Sequence, residues 1–388
     1  MIFISNILSL SRFMNQILQL IIRNLILAGF LLATILVSIV FYALFMAWYS
    51  PPRHNSTNIE MFREGKGMYQ EDGDLGATLI PEGYGRISSN GIIYEIFHGP
   101  YGNRINSPQD KSRFDAELIM LGCSQAWGQG VVFDQLASTL AAKALGVNSL
   151  NLSVPGTGTV YAAKRLEKVP ELKPKYVVYL FFEEHLYRNI RMCAPVNNPL
   201  CIKTVTAVSN SSGKYSFRQP TYNVENFFGG VYVLMQRWYL EQYEGSNKLS
   251  YWKDVFWTLL DIYGKLQKML FDNPDIKNAR HRNDIVAAFD FALGYINKYT
   301  KERNAELIVI YLPNYSYPNQ LTPLPEDLRQ VINHYAAKII DMAEPFNKTI
   351  GLENKNHGTY LFAIPNDGHL NELGHSMIAK ELVSLIKN

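Results

Sequence analysis

Residues 117–124 read Glu-Leu-Ile-Met-Leu-Gly-Cys-Ser and decide the fold class that the sequence predicts. A short apolar run that is closed by a glycine is typical of a buried strand. Similar strand patterns recur at 148–153, 175–182 and 306–312, with helical patterns between them. Strands that alternate with helices predict an α/β fold, a mostly parallel sheet with helices on both faces.

The helical patterns carry their own start and stop signals. One run begins at Asp134 and stops at Gly146, and the last begins after Asn371, a residue type that caps helices well. The predicted helices span 134–146, 159–169, 283–299, 326–342 and 372–386.

Three polar residues near the ends of predicted strands and helices are candidate catalytic residues. Ser124 follows the first strand, at the carboxyl edge where open α/β folds place their ligands. Asp367 and His369 lie two apart before the last helix, so that the carboxylate can orient the imidazole. A hydroxyl, a base and an orienting acid are the parts of an acyl-transfer site. Taken singly, Gly-x-Ser also occurs by chance, and Asp-x-His also suits a solvated turn or half a metal site.

Taken in chain order, four blocks of this sequence resemble the SGNH (GDSL-type) hydrolase superfamily. The resemblance covers about residues 74–130, 148–190 and 306–388, and short stretches at 72–76 and 101–104 look like the lead-in of membrane-anchored bacterial members. The four blocks are GCSQAWGQGV (122–131), NLSVPGTG (151–158), YLFFEEHLYRN (179–189) and NDGHLNELGH (366–375).

The resemblance implies a role for each matched residue. Ser124 would be the nucleophile, His369 its general base and Asp367 the acid that orients the base. The backbone N–H groups of Ser124 and Gly156 would form part of the oxyanion hole. Without the family context, Gly156 fits a plain Pro-Gly turn equally well. The expected enzyme is a serine hydrolase that needs no cofactor.

The sequence departs from the family in two places. The third block usually supplies an Asn to the oxyanion hole, and here it reads Glu183-Glu184-His185. His185 is the candidate donor, with a structural histidine beside Arg188 as the alternative. The spacing Asp-x-His replaces the commoner Asp-x-x-His, and the shorter form resembles the polysaccharide O-acetyltransferase-like branch. This spacing shifts the expectation toward acyl transfer.

Two further residues in these blocks, Cys123 and His375, are expected to have structural and not catalytic roles. Cys123 stands where many relatives carry Asp, and we expect a buried, small apolar side chain rather than a second nucleophile. His375 follows His369 on the last helix, where we expect a packing or surface role.

The first fifty residues predict a membrane anchor. Residues 25–50 carry no charge and end near Trp48 and Tyr49, and a span needs ~20 apolar residues. A cleaved signal peptide has a shorter apolar region and small residues at its cleavage site. We therefore expect a cytoplasmic segment at 1–24, a transmembrane helix at 25–50, and a stalk with a β lead-in at 51–115.

The orientation of this anchor depends on the cysteines and on the family. Arginines flank the run evenly on both sides, so the positive-inside rule does not decide. Cys193 and Cys201 bracket a Pro/Asn-rich stretch and predict a disulfide in an oxidising compartment, with two unrelated thiols as the alternative. We expect the N-terminus in the cytoplasm and the domain at 116–388 in the periplasm or at the cell surface.

An insertion at 190–282 interrupts the hydrolase-like domain. It is predicted to be helical and is rich in aromatic side chains, including Trp238, Trp252 and Trp257. Ordinary packing of a helical subdomain explains these rings most simply. The alternatives are a lid that stacks on a glycan, and a segment at 248–270 that rests on the membrane surface.

Composition excludes several classes of protein. The 388 residues carry a net charge of +3, too even a balance for a nucleic-acid binder. Hydrophobic residues make up 47% of the chain, which excludes a disordered protein. The eight histidines show no metal-ligand spacing and no phosphate loop is present, so neither a metal nor a cofactor is expected.

Three functions remain open at this stage. The first is a membrane-anchored serine esterase that removes acyl groups, in particular acetyl groups, from an envelope or extracellular glycan. The second is an O-acyltransferase that uses the same site to acylate a polysaccharide, with a membrane-bound partner as acyl donor. The third is a glycan-binding module on a degenerate hydrolase fold.

Overall fold

The structure of the protein is a computed structural model. By its internal contacts the chain divides into two units, Met1–Arg53 with Tyr243–Leu270, and His54–Gln242 with Phe271–Asn388. The structure describes scattered positions between 23 and 41, and residues 58–62, 69–89, 92–110, 115–190, 204–219, 279–314, 321–335, 337–352, 362–364 and 368–388.

A nine-stranded sheet forms the centre of the second unit. The described strands are β1 (Asn58–Phe62), β2 (Tyr69–Asp72), β3 (Gly76–Leu79), β4 (Tyr84–Ser89), β5 (Ile92–His98), β6 (Arg104–Ile105), β7 (Leu118–Leu121), β8 (Ser149–Asn151), β9 (Tyr176–Phe182), β10 (Thr206–Ser209), β11 (Tyr215–Arg218), β12 (Glu306–Leu312) and β13 (Lys338–Asp341). The central sheet has the order β1-β4-β5-β6-β8-β7-β9-β12-β13.

The strands from β8 to β13 in this order are parallel to one another. Numbered along the chain, they follow the order 2-1-3-4-5, which is that of flavodoxin-like doubly wound folds. The order reverses between β7 and β9, and this is where such folds bind ligands. The four strands predicted from apolar runs are β7, β8, β9 and β12, so the prediction of a parallel α/β sheet is confirmed for this part.

Helices cover both faces of the parallel strands. The described helices are α1 (Ser124–Trp127), α2 (Ala137–Leu145), α3 (Thr159–Leu166), α4 (Glu184–Ile190), α5 (Ala279–Glu302), α6 (Glu326–His334), α7 (Ala343–Leu352) and α8 (Glu372–Lys387). Side chains alternate along a strand. On β9, Val177, Tyr179 and Phe181 therefore pack with α3 and α5, while Val178 and Leu180 pack with α2, α7 and α8.

One predicted helix is wrong in its second half. The pattern over 326–342 indicated a single helix, but α6 ends at His334 and Lys338–Asp341 form β13. Leu328 and Ile332 are the buried residues of α6. Ile340 is also buried, and its spacing from Ile332 is close to two turns of a helix, so the sequence pattern does not show that the helix ends at His334. The break is therefore not visible in the periodicity.

Four strands of the segment predicted as a stalk and β lead-in are part of the same sheet, while, among the described strands, β2 and β3 pair only with each other. Strands β1, β4, β5 and β6 run antiparallel and extend it beyond β8. The two parts of the sheet meet through the antiparallel pairing of Arg104 with Asn151. The expected β structure is present, but it does not form a separate stalk, because its strands complete the sheet of the domain.

Residues 204–219 of the insertion form a β-hairpin, not a helix. Strands β10 and β11 pair antiparallel around a turn in which the Asn210 side chain accepts from the N–H of Lys214. The N–H of Val205 donates to the carbonyl of Leu75, so the hairpin begins on the main domain. The predicted helical insertion needs this correction for 204–219; residues 191–203 and 220–278 lie outside the described residues.

Two predictions about the compartment concern residues that lie mostly outside the described ones. Among the described residues, no helix combines the length and the apolar character that crossing a membrane requires, and most of 25–50 lies outside them. Cys193 and Cys201 also lie outside the described residues.

Cys123 is buried with a free thiol, as expected of a small apolar side chain.

Candidate active site

Ser124 lies where the chain leaves the sheet at the point of strand reversal. Strand β7 ends at Leu121, and α1 begins at Ser124 after only two residues. The turn is tight because a Cβ atom on Gly122 would lie 2.7 Å from the Cβ of Ala126 and 3.0 Å from the carbonyl oxygen of Leu180. Glycine therefore allows the first turn of α1 to pack against β9. Ser124 is thus presented at the carboxyl edge between β7 and β9.

The structure brings Ser124 and His369 into direct contact. The Ser124 Oγ lies 2.7 Å from the His369 Nε2, although the two residues are 245 positions apart in sequence. The hydroxyl donates when Nε2 carries no proton, which is the arrangement of a nucleophile and its general base. Ser124 keeps 9% of its surface exposed, so the pair is shielded without being closed off. The predicted pair is therefore assembled.

Asp367, the predicted orienting acid, lies outside the described residues. What the structure shows is how the neighbouring backbone is anchored. The N–H of Ile364 donates to the carbonyl of His369 at 2.7 Å, and Ala363 forms a β-bridge with Leu370. His369 is thus fixed to a short extended segment before α8, and the role of Asp367 stays a prediction.

Gln125 adds a contact that the sequence did not indicate. Its Nε2 donates to the carbonyl of Gly368 at 3.0 Å, and its Oε1 accepts from the N–H of Leu370 at 3.1 Å. The side chain is 5% exposed. One amide next to the nucleophile therefore binds the backbone on both sides of His369. Its place directly after Ser124 is the only sequence signal, and it does not reveal this contact.

The loop that carries Gly156 packs against the turn before Ser124. The N–H of Val154 donates to the carbonyl of Gly122 at 3.1 Å, and Arg188 donates to the carbonyl of Thr157 at 3.2 Å. Gly156 has a φ of +79°, a conformation that glycine adopts at little cost. The loop after β8 is thus held beside the nucleophile turn, as the oxyanion-hole assignment of Gly156 requires.

His185 lies in the core at the end of β9. Its side chain is 0% exposed, and its Nδ1 lies 2.7 Å from the Tyr179 hydroxyl. Phe181 and Phe182 surround the ring, and Nε2 has no hydrogen-bond partner among the described residues. Burial, together with the Arg188 charge, lowers the pKa of His185 well below its usual value. The arrangement matches the structural alternative and gives no support to an oxyanion donor.

Comparisons with known proteins add a likeness of fold. No family model and no curated protein matches the chain. A solved structure described as a GDSL-like lipase from Parabacteroides merdae matches 70% of this chain and 98% of its own, at 12% identity and a TM-score of 0.34. The esterase EstA from Pseudoalteromonas sp. matches 70% and 97%, at 13% identity and a TM-score of 0.32.

An acetyl xylan esterase from the rumen bacterium Butyrivibrio proteoclasticus matches 78% of this chain and 68% of its own, at 13% identity and a TM-score of 0.31. All three are lipases or esterases by description. The chain resembles them. Superpositions as loose as these carry no information about activity, so the chemistry has to come from the residues of this chain.

Arg104 supports the far end of the nucleophile helix. Its guanidinium is completely buried and donates to the carbonyls of Trp127, Gly128 and Val131. A cation at a helix C-terminus offsets the partial negative charge of the carbonyls there. Burial lowers the pKa of Arg104 to about 10. Helix α1, which begins at Ser124, is thereby fixed at its other end.

His375 has the packing role that was one of its two expected interpretations. The ring is completely buried, and its Nδ1 accepts from the N–H of Ala137 at 3.2 Å, at the first residue of α2. Burial, with smaller contributions from the charges of Arg104 and His369, lowers the pKa of His375 to about 3. The neutral ring therefore satisfies a helix N-terminus and joins α8 to α2.

The described residues hold no group of three or more His, Cys, Asp or Glu side chains that would suit a metal ion. The side chains that the described residues bring together at this edge are a serine and a histidine.

Proposed function

We propose that the protein is a serine esterase of the SGNH type. The observation that carries this proposal is the 2.7 Å contact between Ser124 Oγ and His369 Nε2 at the point of strand reversal. A serine in this position, paired with a base, is arranged for nucleophilic attack on a carbonyl carbon.

The reaction divides into two steps. In the first, His369 takes the proton of Ser124 as its Oγ attacks the ester carbonyl, and then gives that proton to the alcohol that leaves. In the second, His369 takes a proton from water as the water attacks the acyl-enzyme, and then gives that proton to the Ser124 Oγ as the acyl–oxygen bond breaks and the carboxylic acid is released. Asp367 would hold the imidazole in the required tautomer throughout.

The developing oxyanion needs donors beside Ser124. The backbone N–H groups of Ser124 and Gly156 are the proposed donors, because the Gly156 loop is hydrogen-bonded to Gly122. Removing one such donor typically costs ~10²-fold or more in rate.

We propose acyl, in particular acetyl, esters of an envelope or extracellular glycan as substrates, and an anchor at 25–50 that places the domain in the periplasm or at the cell surface. The uncharged run supports the anchor. Within that run, Val37 and Phe41 are helical and leave 55% and 68% of their surfaces exposed. Apolar side chains exposed in this way suit contact with lipid.

The substrate class is tested with the full chain in detergent. We expect hydrolysis of p-nitrophenyl acetate, loss of hydrolysis in Ser124→Ala, and normal hydrolysis in Ser209→Ala, a control at the exposed end of β10. Release of acetate from an acetylated oligosaccharide would support the glycan substrate. If acetyl groups instead pass only to an added oligosaccharide acceptor, the protein is an acyltransferase.

The anchor is tested by fractionation. We expect the full chain to resist extraction from membranes at alkaline pH and a chain without residues 1–50 to be extracted. Equal extraction of both would remove the anchor from the proposal. Intact mass after alkylation, with and without reductant, would show whether Cys193 and Cys201 form the predicted disulfide.

A further inference from the structure

Gln125 connects the segment that carries Ser124 with the segment that carries His369. It follows the nucleophile directly, and its amide bonds both the carbonyl before His369 and the N–H after it, at 3.0 and 3.1 Å. We propose that Gln125 is the positioning residue for His369, a role that rests on the proposed serine chemistry.

The polar groups of the backbone around His369 fall into two sets that have different partners. In one set, the carbonyl of His369 accepts from Ile364, and the N–H of Asn371 donates to the carbonyl of Phe362. In the other set, the carbonyl of Gly368 and the N–H of Leu370 are the groups that Gln125 binds. The Gln125 amide thus takes the place that a neighbouring strand would occupy.

This contact sets the separation of the base from the nucleophile. Gln125 belongs to α1 and follows Ser124 by one residue, so its amide ties the His369 backbone to the same short helix. A misplacement of about 1 Å in an active site can cost 10²-fold in rate. Both ends of the amide are already bonded to backbone, so Gln125 acts on the reaction through His369 and not on the substrate.

The first test is Gln125→Met, which keeps the length of the side chain and removes both hydrogen bonds. We expect kcat to fall ~10–100-fold, with KM within about twofold because no substrate contact is lost. Gln135→Met is the matched control, since the Gln135 side chain accepts from the N–H of Val132 at 3.3 Å and, among the described residues, makes no hydrogen bond to the His369 backbone. Unchanged kcat in folded Gln125→Met would overturn the proposal.

The second test asks whether Gln125 acts through His369. The rate of labelling by a fluorophosphonate probe is compared in Gln125→Met, His369→Ala and the double variant. We expect no further loss when Gln125→Met is added to His369→Ala. An additional loss of the same size in both backgrounds would make Gln125 independent of His369. If His369→Ala labels at the normal rate, the proposed function itself fails, which is a separate result.

A third variant covers the case in which Gln125→Met does not fold. In Gln125→Glu, a protonated carboxyl offers the same donor and acceptor as the amide, whereas a carboxylate has no donor for the Gly368 carbonyl. We expect the ratio of wild-type to variant kcat to grow as pH rises and the carboxyl ionises. A ratio that stays constant with pH would contradict the positioning role.

Discussion

The carboxyl edges of β7 and β9 lie side by side, and a histidine lies near each, but the two surroundings differ. At β7, His369 comes from a segment 245 residues away, contacts the Ser124 hydroxyl, and has its backbone held by Gln125. At β9, His185 follows its own strand, contacts Tyr179 six residues earlier, and is 0% exposed.

The difference distinguishes a histidine that contacts a hydroxyl at an accessible edge from one that is buried in the core. A base needs a ring nitrogen on a nucleophile and access for the substrate. Burial favours the neutral ring of His185, and its hydrogen bond with Tyr179 offsets part of the cost of burying two polar groups. Position beside a catalytic edge is therefore weak support for catalysis unless the side chain also faces accessible space.

The largest expected effect is at the β7 edge. Ser124→Ala removes the only hydroxyl in contact with His369 among the described residues, so we expect kcat to fall by ~10³-fold or more and labelling by a fluorophosphonate to cease. The melting temperature should stay within about two degrees, because a small side chain is replaced by a smaller one. Labelling of Ser124→Ala at the wild-type rate would exclude Ser124 as the nucleophile.

A substitution of Arg104 tests whether the stability of the protein depends on the hydrogen bonds at the C-terminal end of α1. Arg104→Met leaves the carbonyls of Trp127, Gly128 and Val131 without their donor in a buried place. We expect the free energy of unfolding to fall by ~3 kcal/mol or more, measured by urea titration. Arg218→Met, at an exposed residue of β11, is the control and should change it by less than ~0.5 kcal/mol. Equal stability of the two variants would contradict the assigned role of Arg104.

His185→Ala tests the β9 side directly. Because the ring fills the core and bonds Tyr179, we expect the free energy of unfolding to fall by ~2 kcal/mol, with turnover per folded molecule within a few-fold of wild type. Thermal unfolding and active-site titration measure the two quantities. A ~10²-fold loss of turnover at unchanged stability would instead restore the oxyanion role predicted from the sequence.

The effect that is smallest near neutral pH is a pH dependence from His375. Its pKa is lowered to about 3, so between pH 6.5 and 3 the unfolded chain binds a proton that the folded chain does not. Stability therefore falls as pH falls below 6.5, by about 1.4 kcal/mol per pH unit for one such histidine. His375→Asn keeps an acceptor for Ala137 without titrating, and should flatten the curve of melting temperature between pH 6.5 and 4.5.

The control for this prediction is His334→Asn, at an exposed position in α6. Its curve should follow that of the wild type. Parallel curves for all three proteins would show that His375 is not a buried neutral group.

The sequence predicts best those elements whose pattern of apolar residues fits only one type of secondary structure. Strands β9 and β12 are seven residues of strongly apolar sequence, and their predicted bounds match to within a residue. Strand β13 was missed because its four residues follow a helix whose apolar spacing runs into them. Strands β4, β5 and β6 were interpreted as a lead-in because what joins them to the parallel strands is the pairing of β6 with β8. This is a tertiary contact, and no local sequence pattern shows it.

The candidate site divides in the same way. Ser124 and His369 were predicted because their residue types and block order carry chemistry, and the structure brings them together. Gln125 was missed because glutamine has no reactivity of its own, and its function depends on which backbone groups come within reach of its amide. His185 was assigned from its place in the third block, with a structural histidine as the alternative, and burial is the property that a short block does not show.

The distance along the chain between Ser124 and His369 has a consequence for biosynthesis. Chains fold from the N-terminus as they emerge, so the serine turn, α1 and the first parallel strands are made long before the segment at 368–388. A nascent chain that stops short of that segment has a nucleophile without a base, and Gln125 without the carbonyl and N–H that it binds. Under the proposed function, the site is therefore complete only once the segment at 368–388 has docked, and a chain that lacks this segment would not hydrolyse esters.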